Sequence, residues 1–414
     1  MSDYDVIVIG AGAAGMLAAG RAANLGARVL LLEKMRQEGR KLMITGKGRC
    51  NITNDAPLAQ FVKNIYPDGR FLRSAFSGFF SKDIIDLLQK HGVECILERG
   101  GRYFPASGKS ADVVNALKKW VREQGVEIRK DCRVNRLLIA QNTIRGIRAG
   151  EKELHAKNVI LATGGKSYPA TGSTGDGYAL ARQAGHHIIE AFPALVPLET
   201  VETIPERLNG LNLKNVNAML WIDGKKVAEE FGELLFMEFG LSGPIVLSLS
   251  RMAVEALRKE LKVEISIDLK PALDEQKLDK RLLRDLDDNG KKRIHNVFKS
   301  WLPSALIPVF MERLKLDPLK VCHQINAGER KQIRHLMKNF SFRINGHRPF
   351  EEAIITAGGV SVKEISSKTM ESKKVKGLYF AGEVMDVDAE TGGYNLQIAF
   401  STGWLAGSSA AASI

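Results

Sequence analysis

The sequence predicts an α/β fold, a three-layer domain on a parallel sheet, interrupted by an inserted region of strands followed by helices. Three observations predict it. A strand, glycine turn, helix and strand fill residues 5–33. Two further apolar runs, at residues 158–165 and 376–383, also end in small residues and glycines. Between them, from about Phe192, this alternation gives way to strand-like segments and then to charged helices.

The first unit carries the most information. Asp5-Val6-Ile7-Val8-Ile9 stops at Gly10-Ala11-Gly12-Ala13-Ala14-Gly15, a helix runs to about Leu25, and Arg28-Val29-Leu30-Leu31-Leu32 ends in Glu33-Lys34. Gly10 permits the tight turn, Gly12 lets the backbone approach a pyrophosphate, and Gly15 lets helix and strand pack closely. The helix start at Ala13-Ala14 offers N–H groups and a positive dipole end to phosphates. Glu33 falls 18 residues past Gly15, where an acid accepts hydrogen bonds from ribose hydroxyls and its charge repels a 2′-phosphate. The pattern is therefore a Rossmann-like dinucleotide site. No basic segment precedes the first apolar run, so no signal peptide is expected.

At 414 residues the chain has room for two or three domains. No apolar run reaches the roughly 18–20 residues that span a bilayer, so no membrane partner is expected. Cys50, Cys95, Cys132 and Cys322 are far apart and form no CxxC, which argues against a disulfide scaffold or a metal site and fits a reducing cytoplasm. The formal net charge is +13, but the basic residues are spread along the chain. The excess reads as anionic cofactor and substrate plus solvated surface, so the expected partner is a small molecule and not nucleic acid. Binding or modification of RNA stands as the alternative.

In chain order, Glu38-Gly39-Arg40-Lys41 and Thr45-Gly46-Lys47-Gly48-Arg49-Cys50-Asn51 form a glycine-rich cationic loop directly after Glu33. Arg40, Lys41 and Arg49 are placed to neutralise a pyrophosphate, the alternative being an exposed basic loop. Residues 71–91 predict a helix, 98–108 a hairpin, and 110–124 a helix with Ser110 as N-cap. Residues 126–139 and 143–147 predict strands, and Val134 is either an adenine-edge contact or a core valine. The strand at 158–161 ends in Ala162-Thr163-Gly164-Gly165. A second glycine loop, Gly172 to Gly177, does not follow a strand directly, so it is not a second fingerprint of the kind a stable NAD(P) domain needs. In the middle region Asp223-Gly224 joins two alternating strands in a hairpin, a helix begins near Phe239-Gly240-Leu241-Ser242-Gly243-Pro244, and residues 274–338 are helical and charged. The chain then returns to α/β character with a strand ending at Gly382-Glu383, acids at Asp386 and Asp388, and a small-residue helix after Gly393-Tyr394-Asn395-Leu396.

The glycine turn with Glu33, the strand end at Thr163 and the strand end at Gly382 together suit an extended ligand with an adenosine and a second ring system. FAD fits better than NAD. Its pyrophosphate meets the first turn, its ribityl chain passes Glu383 or Asp386, and the helix start at Gly393–Leu396 stabilises negative charge on the reduced ring. The expected activity is FAD-dependent hydride transfer between a small organic substrate and flavin N5, with NAD(P)H as a transient electron donor in the reductase case. No side-chain acid–base pair stands out, so no catalytic residue is nominated, and the oligomeric state stays open.

On Val8 to Gly15, Gly39-Arg40-Lys41, Gly46 to Asn51, Leu161 to Gly165, Phe239 to Pro244, and Gly382 through Gln397, the chain resembles the YhiN-like flavoproteins of the aminoacetone oxidase group, over nearly its whole length. The resemblance implies a non-covalent FAD, a FAD-binding domain split between residues 1–191 and 345–414, a β-barrel-like insertion at 192–271, and a helical subdomain at 272–344. It implies amine oxidation or reduction of enone- and steroid-like ketones. Many members carry Thr-His where this chain has Met237-Glu238, so Glu238 is either an acid or base in a different chemistry or a surface carboxylate. Cys50 lacks the partner cysteine of a dithiol mechanism and reads as packing near the flavin, with a flavin-facing thiol as the alternative.

Overall fold

The apolar runs at the start of the chain become the parallel core of a seven-stranded mixed sheet. In the computed structural model, which describes residues 3–414, Val6–Ile9 and Val29–Leu32 are buried on both faces of the sheet. Parallel strands flanked by crossover helices are covered on both sides, which is why these runs are continuous and not alternating. Tyr4–Ile9 lies between Val29–Leu32 and Lys152–Leu161, and Leu378–Phe380 adds in parallel to the end of Lys152–Leu161. The register sets Ile9 beside Leu161 and Leu161 beside Phe380, so all three strands stop at one level, at Gly10, Ala162 and Ala381.

Helix packing onto this sheet is governed by missing side chains. A Cβ at Gly15 would lie 1.8 Å from the Gly10 carbonyl oxygen, so the helix Ala13–Asn24 rests on the turn itself. The helix Tyr394–Ala412 then crosses it in backbone contact: Cβ atoms at Gly403 and Gly407 would lie 2.2 and 2.3 Å from the carbonyl oxygens of Ala14 and Ala18.

This unit runs to Pro193 and resumes at Phe350. Some local expectations change. The predicted helix over 71–91 is broken at Phe79, whose backbone is extended and whose ring stacks on Trp404 at 4.4 Å. A new helix, Ser81–Lys90, starts where the Asp83 carboxylate accepts the Phe80 N–H at 2.6 Å. Ser110 is not an N-cap; it is the first helical residue of Ser110–Glu123, and its hydroxyl donates to the Met43 carbonyl.

The second unit spans Ala194–Pro349. Six strands close into a barrel in the order Leu198–Thr200, Gly240–Ser242, Lys225–Met237, Asn212–Ile222, Val263–Asp268 and Phe340–His347, which returns to the first. The hairpin at Asp223-Gly224 has φ of 47° and 75°, the left-handed pair of a two-residue hairpin turn. Phe236, Phe340 and Phe342 fill the interior with no exposed surface. The charged helical segment ends at Lys338, and Phe340–His347 is the closing barrel strand, because Phe340, Phe342 and Ile344 alternate inward. Among the described residues no helix is long and apolar enough to cross a membrane.

Gly403→Ala is expected to destabilise the protein by about 1–3 kcal/mol or more through overpacking. Gly78→Ala, with nothing within 4 Å of the added methyl, is expected to stay within about 1 kcal/mol of the parent. Urea unfolding midpoints of the two variants check the contrast.

Candidate functional site

The three aligned strand ends build the site. Gly10 takes φ of +102°, and a Cβ there would lie 2.5 Å from the Ala162 carbonyl oxygen, so this turn admits only glycine. At Gly12 the opposite holds: an added Cβ meets no atom within 4 Å. Gly12 caps the helix Ala13–Asn24 with no side-chain hydrogen bond, leaving the N–H groups of its first turn uncapped beside open space. That is an anion cradle which protein atoms do not fill. Glu33 sits at its edge. Its carboxylate accepts the N–H groups of Ala11 at 2.8 Å and Met35 at 2.9 Å, and burial pushes its carboxyl pKa up against these bonds. A carboxylate has about four acceptor positions, so two bonds leave capacity for ribose hydroxyls.

The Cys132 N–H donates to the Glu33 carbonyl at 2.9 Å, which brings the following residues to the same end of the sheet. Val134 there is buried and lines a recess of about 580 Å³ with Asp131, Ala149, Asp176 and Leu180. Lys34 reaches across to the second glycine loop, donating to Asp176 at 2.8 Å and Thr174 at 2.5 Å.

The cations of the glycine-rich loop separate by partner. Lys41 bonds both oxygens of Glu383, at 2.7 and 3.0 Å. Arg49 pairs with Glu98 and lies 4.3 Å over the Phe104 ring, both on the hairpin. Arg40 is half-buried at the start of Arg40–Ile44 and, unlike the other two, forms no ion pair among the described residues. Gly48 has φ of +84° and its carbonyl accepts the Ser110 N–H at 2.8 Å. Cys50 is fully buried and desolvation pushes its thiol up to about 12, so it carries no thiolate at neutral pH.

Two polar networks behind the site were not singled out from the sequence. Ser167 and Thr356, both without exposed surface, bond each other at 2.8 Å, and Glu383 accepts from the Ser167 hydroxyl at 3.1 Å and from the Thr356 N–H at 2.7 Å. The run Thr356-Ala357-Gly358-Gly359 was the available signal, since it repeats the small-residue pattern of the sheet's strand ends, although it lies inside the strand Ile355–Val360. In the second network Thr53 donates to Gln397 at 2.6 Å, Gln397 to Ser401 at 2.9 Å, and Ser401 to the Phe79 carbonyl at 2.6 Å. These bonds hold the start of Tyr394–Ala412 in place.

Gly393, with φ of +99°, caps that helix without a side-chain bond, and a Cβ there would lie 2.5 Å from the Thr53 backbone. With its amide oriented to satisfy both partners, Asn51 accepts from the Gly393 N–H at 3.0 Å and donates to the Thr53 carbonyl at 3.3 Å. Asn395 is a clamp: its side chain accepts the Ala389 N–H at 2.9 Å and donates to the Ala389 carbonyl at 2.8 Å. Tyr394 packs edge-on against Phe61 at 4.6 Å, and Leu396 is half-buried beside it. The Gly382 N–H donates to Thr402 at 2.9 Å, and the Asp386 N–H to the Val360 carbonyl at 2.9 Å. Gly164 takes φ of +71°. The Thr163 and Tyr178 hydroxyls are buried without a protein partner, and burial, with the charges of Glu383 and Asp386, pushes the Tyr178 phenol well up. Among the described residues no cluster could hold a metal ion.

Native protein treated with iodoacetamide near pH 8 is expected to keep full turnover and an unmodified Cys50, which becomes alkylated only after unfolding. Peptide mass mapping checks this.

Residues 4–409 match the family model described as HI0933-like protein Rossmann domain. A 3-dehydro-bile acid delta(4,6)-reductase of Clostridium scindens is 32% identical over 408 residues, covering 98% of both chains. A ribosomal RNA dihydrouridine synthase of Escherichia coli is 32% identical over 412 residues, covering 98% of this chain and 97% of that protein. A protein of the same name from Haemophilus influenzae is 31% identical over 411 residues, covering 98% of both. Full-length matches of this kind, on a Rossmann-like FAD-binding fold, establish that the chain belongs to the HI0933-like family and is an oxidoreductase.

Proposed function

We propose that the chain is an FAD-dependent reductase of carbon–carbon double bonds conjugated to a carbonyl, and that its substrate is a uracil base in ribosomal RNA. One observation carries the reaction class. Two relatives, each 32% identical over nearly the full chain, are named for reductions of that kind. A 3-dehydro bile acid with Δ4,6 unsaturation has its double bonds conjugated to the C3 ketone. Making dihydrouridine saturates a double bond conjugated to the C4 carbonyl of uracil. In each case the carbonyl accepts the charge that builds as the double bond is attacked. The choice of RNA, the alternative to the small-molecule substrate that the sequence alone favoured, is supported by the net charge of +13 and by two relatives named for rRNA.

The residues present fit FAD. The open cradle at Gly12, with Arg40 unpaired beside it, suits a pyrophosphate, and Glu33 keeps acceptor capacity for a ribose. The uncapped start of Tyr394–Ala412 offers its dipole to the electron-rich edge of a flavin ring. Bound FAD supplies the two-electron chemistry, delivering a hydride equivalent to the substrate carbon. The protein positions the groups, and Lys41, Ser167 and Thr356 fix the Glu383 carboxylate at the third strand end. We propose NADH or NADPH as the electron donor, docking transiently.

Anaerobic addition of NADH or NADPH to the yellow protein is expected to bleach the flavin band. Unmodified rRNA should then restore the colour and yield dihydrouridine on nucleoside mass spectrometry. Reoxidation by a 3-oxo-Δ4 steroid and not by RNA would transfer the reading to a free enone. Bleaching by an amine and by neither nucleotide would overturn the reductase reading. Gly12→Ala is expected to keep the parent unfolding midpoint of the apoprotein while weakening FAD binding tenfold or more, about 1.4 kcal/mol, because its methyl enters the cradle.

A further inference from the structure

We propose that the ledge Gly290–Arg293, in the Ala194–Pro349 unit, is a docking surface for the phosphate backbone of RNA; this rests on the reading that RNA is the substrate. Residues 289–338 hold eleven lysines and arginines against three acids, an excess of eight out of the whole chain's +13. The charge is therefore local in a way that counting along the full sequence hides.

Within that segment ten of the eleven cations divide into two sets, and the eleventh, Arg313, lies 4.9 Å over the Phe340 ring. Of the four in the helix Ala327–Lys338, three are committed to carboxylates: Arg330 to Asp279 at 3.2 Å, Arg334 to the same Asp279 at 3.1 Å, and Lys338 to Asp268 at 2.5 Å. Lys320 is held by Glu329 at 2.5 Å. Lys291, Lys292, Arg293, Lys299, Lys315 and Lys331 are exposed and form no ion pair among the described residues.

The first three of these stand on a fixed support. Residues 290–294 run antiparallel to 320–323. The Cys322 N–H donates to the Lys292 carbonyl at 2.9 Å, the His323 N–H to the Gly290 carbonyl at 3.0 Å, and the Ile294 N–H to the Lys320 carbonyl at 2.8 Å. Cys322 and Ile294 are buried beneath this ladder. Three consecutive long cations held by a ladder lose less entropy on pairing with phosphates than cations on a free loop would. The exposed Asp287 and Asp288, at the end of the preceding helix Glu275–Asp288, bound the positive field on one side. Lys291–Arg293 include no apolar side chain to insert into a bilayer, as an interfacial membrane segment requires, which favours RNA over an anionic membrane.

The test uses the FAD-loaded full chain and an rRNA fragment, with fluorescence anisotropy across a salt series. Lys291→Ala/Lys292→Ala/Arg293→Ala is compared with Lys63→Ala/Lys82→Ala/Lys90→Ala, which removes the same net charge from exposed, unpaired lysines elsewhere. The ledge variant is expected to bind at least tenfold more weakly near 0.15 M salt, with the log–log salt slope reduced by about 2–3, roughly one for each phosphate no longer neutralised. The control variant should stay close to wild type, and both should keep the parent unfolding midpoint and bleach with NADH or NADPH as the parent does. Equal weakening of both variants, or wild-type affinity in the ledge variant while wild type still makes dihydrouridine, overturns the ledge and leaves the RNA reading standing. Absence of RNA binding by wild type overturns the RNA reading and the ledge with it. Ledge-dependent binding to phosphatidylserine vesicles, with no effect of the substitutions on RNA affinity, overturns the ledge as an RNA surface.

Discussion

The structure depends on backbone meeting backbone at the ends of three parallel strands. Gly15 lets one helix sit on the Gly10 turn, and Gly403 and Gly407 let a second helix sit on the first. Side chains at these places would lift the helices away, and the turn that faces a ligand would lose its geometry. Close approach has a cost in hydrophobic burial, since glycine has no side chain to remove from water. The offset comes from the fully buried strands between the helices, Val6–Ile9 and Leu30–Leu32 among them.

The first βαβ unit was legible from the sequence because its information is local: the glycine spacing, the apolar runs and Glu33 all fall within one stretch. The inserted strands and helices were legible for the same reason. What escaped was non-local. Nothing near Arg49 announces that its guanidinium goes to Glu98 and the Phe104 ring. Ser167, Thr356 and Glu383 meet only because the fold brings together three segments remote in sequence. Barrel closure by Phe340–His347 was hidden by the helices before it, since a short alternating strand after a long helical run carries little signal of its own.

Ion-pair partners separate cations that look alike in the sequence. Lys34, Lys41 and Arg49 each meet a carboxylate of their own unit, while Arg40 does not. A net charge reports none of this. Paired cations screen themselves at short range and act as local structure, whereas unpaired ones project a field that an anion senses from a Debye length away.

The cofactor-binding unit is assembled from the two sides of an interruption. Leu378–Phe380 and Tyr394–Ala412 leave the ribosome after the whole of Ala194–Pro349. The inserted unit is contiguous, and its longest strands pair through a two-residue hairpin, so its closure needs only its own residues. Until the last helix arrives, Ala14 and Ala18 on the first helix face no partner, and the ends of Tyr4–Ile9 and Lys152–Leu161 wait for their third neighbour. In the nascent chain the inserted unit, although later in sequence than the glycine turn, can be complete first, and the cofactor-binding unit closes only after Tyr394–Ala412 has followed it.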